Sequence, residues 1–129
     1  MPAFLLDSSV LIDTLNNRKS RAQLLRGLVS QGHLLACCSI NVTEVYAGMR
    51  PPEELRTAEL LGSLRYYPVT WPIARLAGLL KRDHAKQGIT LATTDVTIAA
   101  VAIHHQLTLV TDNLKHYPMK ELQLYPLPN

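Results

Sequence analysis

The chain opens with Ala3-Phe4-Leu5-Leu6-Asp7-Ser8-Ser9-Val10-Leu11-Ile12, and the reading of this stretch decides the fold. Residues 3–6 are apolar without polar alternation, the pattern of a strand covered on both faces, as in a parallel sheet. Asp7 follows directly and therefore stands at the strand's carboxyl end. Ser8 or Ser9 can cap a short helix through Val10, Leu11 and Leu15, which Asn16-Asn17 breaks. A buried strand that runs through an acid into a helix is the opening of a βα unit.

The alternation continues along the chain. Residues 19–30 carry Ala22, Leu24, Leu25, Leu28 and Val29 at helical spacing, and Gly32 stops that helix. His33 to Cys38 reads as a second strand, and the helix holding Glu44 follows and ends near Gly48. Pro51-Pro52 opens a helix with Leu55, Ala58, Leu60, Leu61 and Leu64. Arg65 to Val69 reads as a strand. Pro72 starts a helix with Ile73, Leu76, Ala77 and Leu80 on one stripe, ended by Gly88. Residues 94–105 are Ala-rich and apolar on most of the circumference, so this helix is expected to be deeply packed. A strand at 107–111 follows, then an edge strand at 122–126 limited by Pro126 and Pro128. This order predicts a three-layer α/β/α sandwich with a mainly parallel sheet of four or five strands, in a single domain over residues 1–129.

Apolar content of 47% and charged content of 18% describe a soluble globular chain. No apolar run approaches the roughly 20 residues of a membrane span, and no secretory leader is evident, so a cytoplasmic location and no membrane partner are expected. Cys37 and Cys38 are adjacent in an apolar run, which suits two reduced core residues better than a disulfide framework or a zinc site.

Four of the ten acids stand out: Asp7, Glu44, Asp95 and Asp112. Asp7 and Asp112 end strand-like runs, and Glu44 and Asp95 sit near helix starts. Such positions converge at the carboxyl edge of an open α/β sheet. Each has an ordinary alternative. Asp7 can belong to a helix cap, Glu44 can close a capping box with Asn41, Asp95 can face a helix dipole, and Asp112 can be a turn residue. Asn113 rivals Asp112, since its amide oxygen can also face a hydrated metal. Together the acids form a like-charge cluster that a cation would neutralise, and oxygen donors favour Mg²⁺ or Mn²⁺. With those four acids set aside, the 13 Lys and Arg outnumber the remaining acids about two to one, a balance suited to a polyanion. Arg18, Lys19, Arg21 and Arg26 form one basic stretch, and Lys81, Arg82 and Lys86 another. Arg50, Lys115 and His116 are further phosphate-contact candidates. His104 and His105 read as helix-face or dimer-contact residues. No periodic aromatic platform for stacking bases is present.

The chain resembles the PIN-domain nucleases, and among them the VapC-type toxins of toxin–antitoxin pairs. The resemblance rests on Phe4 to Ile12, Ser39 to Gly48, Asp95 to Ala102 and Leu107 to Tyr117, in that order and at that spacing. It implies a PIN-like fold and metal-dependent endonucleolytic hydrolysis of RNA. It also implies that Asp7, Glu44 and Asp95 hold Mg²⁺ or Mn²⁺. In the family pattern the fourth position falls two residues after the strand-end threonine. That residue is Asn113 here, and Asp112 comes one position early. Thr111 would orient the site through its hydroxyl. A small cognate antitoxin and a homodimer are the implied partners.

Two other readings differ in chemistry. A phosphatase with an aspartate nucleophile would need a second acid where Ser9 stands. A catalytically silent PIN-like RNA-binding or scaffold domain would bind RNA without depending on Asp7.

Overall fold

The computed structural model describes residues 3–127. Its strands are β1 (Ala3–Leu6), β2 (Leu34–Cys38), β3 (Arg65–Tyr67), β4 (Thr108–Thr111) and β5 (Gln123–Pro126). Its α-helices are α1 (Ser8–Leu15), α2 (Arg21–Ser30), α3 (Ser39–Ala47), α4 (Glu54–Gly62), α5 (Trp71–Lys86) and α6 (Thr93–His105). The strands form one sheet in the order β3-β2-β1-β4-β5, and all four neighbouring pairs are parallel. The expected sheet is therefore present, with five strands.

Strand alternation divides the core in two. Leu5, Ala36, Cys38 and Leu109 face α5 and α6. Leu6, Leu35, Cys37 and Val110 face the other way, toward residues of α1 through α4. Because β1, β4 and most of β2 are covered on both sides, their residues read as largely apolar runs, whereas the edge strands β3 and β5 are partly exposed. Helix α6 is the most enclosed element, with Val96 through Ala102 all buried, as its composition led us to expect. Gly32 and Gly88 take positive φ values of 91° and 81° just past the ends of α2 and α5, where a side chain would be strained.

Several boundaries differ from expectation. Pro51–Glu53 forms a 3-10 turn, and α4 begins only at Glu54. Strand β3 ends at Tyr67 rather than Val69. Pro126 closes β5 as an edge residue, where a missing N–H does no harm. Pro128 lies outside the described residues.

The topology fixes where a site can form. From β1 the chain moves to β2 and β3 on one side, then crosses to β4 and β5 on the other. The carboxyl ends of β1 and β4 thus flank the point where the crossovers diverge. Open parallel sheets place their ligands there. Asp7 follows β1, and Asp112 follows β4.

Ile98 is fully buried on α6 against this sheet. Ile98→Ala should cost about 2–5 kcal/mol of stability. Urea unfolding of the purified protein, followed by circular dichroism, measures that loss.

Candidate active site

Asp7 is built into the junction of β1 and α1. Its N–H continues the ladder onto Val110 O at 3.0 Å, and its Oδ1 accepts the Ser8 N–H at 2.8 Å. Asp7 itself is the cap of α1, one of the positions the sequence offers beside Ser8 and Ser9. Thr111 donates its hydroxyl to Oδ2 at 2.7 Å, and Tyr117 donates to Oδ1 at 3.0 Å. A carboxylate offers about four lone-pair positions. Three are filled, so the open one lies on Oδ2.

Asp95 lies in the first turn of α6, favourable for an acid beside the helix amino end. Its Oδ1 is 3.5 Å from the same Tyr117 hydroxyl, and its Oδ2 is 3.4 Å from His116 Nδ1. One buried phenol thus touches the two acids that lie 88 positions apart in the chain.

Glu44 is reached differently. The capping box of α3 is closed by Cys38 and Asn41, whose Oδ1 accepts the Cys38 N–H at 2.8 Å. Helix α3 begins at Ser39, two residues earlier than the box expected around Asn41 and Glu44. Glu44 therefore lies in the second turn and leaves its carboxylate for another partner. Ser8 Oγ donates to Glu44 Oε1 at 2.6 Å, and Asn41 Nδ2 donates to Ser8 Oγ at 2.9 Å. Asn41 is completely buried, so this relay is rigid.

Asp112 is held by partners of its own, which none of the three acids shares. Arg21 reaches its Oδ2 at 3.2 Å and Lys19 the same oxygen at 3.4 Å, while Ser9 Oγ donates to Oδ1 at 3.3 Å. The Arg21–Asp112 pair is almost wholly buried. Asn113 contributes its backbone N–H to Thr111 Oγ1 at 2.9 Å, holding the hydroxyl that serves Asp7. Two of the four residues in the first basic stretch, Lys19 and Arg21, are thereby engaged internally. Elsewhere Arg50 pairs with Glu53, Arg82 with Asp83, and Lys81 bonds the Leu91 carbonyl. His105 stacks obliquely on Tyr67, which agrees with a helix-face role.

The electrostatics follow the geometry. Burial pushes the Asp7 carboxyl above its ordinary 3.8; hydrogen bonds from Thr111, Tyr117 and Ser8 oppose this, and the Asp95 charge adds to it. Burial, followed by the charges of Asp7, Asp95 and Glu44, drives the Tyr117 phenol far above its usual range, so it remains a proton donor. Burial alone would raise Asp112, but Arg21 and Lys19 outweigh it and hold that carboxyl below the ordinary value.

Among the described residues, no three His, Cys, Asp or Glu side chains are already drawn into one ligand cluster. The donor chemistry nevertheless fits a hydrated divalent ion. Mg²⁺ is usually held by one or two carboxylates and keeps several waters. Asp7 and Asp95 meet at one phenol, all donors are oxygen, and the third acid acts on that phenol through space.

The sequence alone suggests no role for Tyr117, and for Asn41 only that of a helix cap. The one signal for Tyr117 was general: a buried phenol needs a polar partner.

The chain belongs to the PIN domain family, which its sequence matches over residues 4–121. Its curated relatives are VapC ribonucleases. VapC10 of Mycobacterium tuberculosis is 36% identical over 122 residues, covering 95% of this chain and 90% of the relative. VapC19 of the same species is 30% identical over 115 residues, covering 89% of this chain and 92% of that one. Among solved structures, a toxin–antitoxin complex from Klebsiella pneumoniae is similar at a TM-score of 0.77 and 25% identity, covering 97% of this chain and 100% of that chain. VapBC2 from Rickettsia felis bound to a promoter DNA fragment aligns at a TM-score of 0.82 and 21% identity, over 97% of this chain and 98% of that chain, which speaks to the fold.

Two outcomes test this description. Because the folded Asp7 value lies above 3.8, its contribution to stability is fully present below that pH and is lost as pH rises through the raised value. Asp7→Asn removes this penalty. In EDTA it should melt at least as high as wild type at neutral pH, with the difference shrinking toward pH 3.8. Thermal melts of both proteins across that range check the sign. Arg21→Ala leaves Asp112 with Lys19 and Ser9 but without its buried partner, and should cost about 1–3 kcal/mol, read by chemical denaturation at neutral pH.

Proposed function

We propose that this protein is a divalent-metal-dependent endoribonuclease acting as the toxin of a toxin–antitoxin pair. The observation that carries this reading is the meeting of Asp7 and Asp95 at one buried hydroxyl, at the switch point of a PIN-domain sheet. The VapC ribonuclease relatives, which align over most of the chain, support the same substrate class.

Asp7, through the open position on Oδ2, and Asp95 would hold Mg²⁺ or Mn²⁺, with Glu44 contributing directly or through water. When bound, such an ion supplies an activated water and neutralises charge on the phosphate and the leaving oxygen. The remaining work belongs to the side chains. Thr111 and the Ser8 N–H fix the Asp7 carboxylate, and Asn113 fixes Thr111. Asn41 and Ser8 hold Glu44 toward the site. No serine, cysteine or histidine nucleophile is required. Asp112 takes a supporting part, pinning Ser9 and Arg21 beside Asp7 rather than offering a free ligand. His116 stands beside Asp95, and in this reading it and the exposed Lys115 would meet the RNA backbone.

A small antitoxin is the natural partner in this reading, since similar structures were solved as toxin–antitoxin complexes. We include a homodimer and a cytoplasmic location as parts of the same proposal. Among the described residues, no helix is long and apolar enough to cross a membrane.

The test is cleavage of total cellular RNA by antitoxin-free protein with Mg²⁺ or Mn²⁺. Discrete products should disappear with EDTA. Asp7→Asn and Asp95→Asn should each lower the rate by more than about 100-fold, beyond the usual effect of removing a residue that only supports a metal ligand. RNA binding without metal-stimulated cleavage, unaffected by Asp7→Asn, would favour a silent binding domain.

A further inference from the structure

Tyr117 stands on the link between β4 and β5, six residues after Thr111. Its ring is packed in the core cluster shared with α5 and α6, and only 2% of the residue is exposed. A phenylalanine would meet that packing requirement equally well. The hydroxyl needs a separate explanation, because a buried phenol between carboxylates is costly unless its placement is used. Its oxygen lies 3.0 Å from Asp7 Oδ1 and 3.5 Å from Asp95 Oδ1.

We propose that Tyr117 is a positioning residue of the metal centre, whose hydroxyl holds the Oδ1 atoms of Asp7 and Asp95 inward and turns toward the ion the open position of Asp7 Oδ2, beside its bond from Thr111, and Asp95 Oδ2, which His116 Nδ1 flanks at 3.4 Å. This inference rests on the metal-dependent reading above and adds a residue to it. The reasoning is one of lone pairs. Oδ1 of Asp7 is fully used by Ser8 N–H and Tyr117, so the carboxylate cannot rotate without breaking two hydrogen bonds. Among the described residues, Asp95 Oδ1 has no comparable backbone anchor, and its link to the phenol is longer. The single hydroxyl proton donates to one acid at a time, so it relates two like charges while remaining neutral. Hydrogen bonds that orient ligands in this way commonly change metal affinity by about 10–100-fold.

Tyr117→Phe isolates the hydroxyl, because the ring and its buried volume remain. Mn²⁺ binding to the metal-stripped full chain is measured by calorimetry and by the free-ion paramagnetic resonance signal, with circular dichroism to compare the fold. The expected result is a native spectrum with Mn²⁺ bound about 10-fold more weakly. In cleavage assays at saturating metal, kcat should fall while KM for RNA stays the same. Equal Mn²⁺ affinity in the two proteins would reduce Tyr117 to a core ring and overturn the proposal. Tighter binding by Tyr117→Phe would also overturn it, by showing that the hydroxyl competes with the ion. Wild-type protein that binds no Mn²⁺ would instead remove the metal-dependent reading itself, and this inference with it.

Discussion

The burial of one carboxylate governs this structure. Asp7 is 5% exposed at the end of the central strand, three of whose four residues are buried. An ionised group there is tolerable only if its lone pairs are filled. Three separate segments meet that demand: the amino end of α1, the last residue of β4, and the link beyond it. Each must arrive in register. A shift of β4 by one residue would turn Thr111 to the other face of the sheet and remove its bond to Asp7. The parallel register between β1 and β4, with Leu6 opposite Val110, is therefore a requirement of the site as much as of the core.

The fold was largely legible because its signals are local. Doubly covered strands produce apolar runs, helix ends carry Gly32 and Gly88, and the alternation of strand and helix leaves few topologies open. The prominence of Asp7 and Asp95 was also legible, since an acid beside a very apolar segment has few places to go. What could not be read is the distribution of hydrogen bonds. Asn41 to Glu44 fits a capping box in sequence, yet Cys38 caps the helix and Glu44 turns to Ser8. The pattern contains both solutions, and only the start of α3 at Ser39 chooses between them. Tyr117 escaped notice for a related reason. Its role depends on two acids that are distant in sequence, and nothing near residue 117 points to either.

The displaced fourth acid illustrates how charge is partitioned at this edge. Asp112 follows the strand one position before Asn113, where the resemblance leads one to expect the fourth site residue. Arg21 and Lys19 draw its carboxylate toward the start of α2. The loop that carries these cations includes Asn17, Lys19 and Ser20, all with positive φ, an uncommon conformation for residues with side chains. A strained turn thus delivers two cations to one carboxylate and balances its charge locally. The basic stretch that composition alone would assign to RNA is partly consumed in doing so. A balance of charges read from sequence therefore overstates what the surface offers to a phosphate backbone.

The most distant consequence concerns assembly. Asp7 draws its partners from positions 104 and 110 residues away, and Asp95 joins through the same phenol. Contacts of such separation carry a closure cost that is recovered only when most of the chain is in place. Neither α1 with β1 alone nor the α5–α6 layer alone contains the pair of acids. The centre exists only once β4 has inserted beside β1 and the link to β5 has laid Tyr117 across the carboxyl edge. Distributing one site over the first strand, the last helix and the final crossover thus makes the complete sheet a precondition for its chemistry. A partly folded chain would present the acids separately, each solvated and without the shared hydroxyl that brings them together.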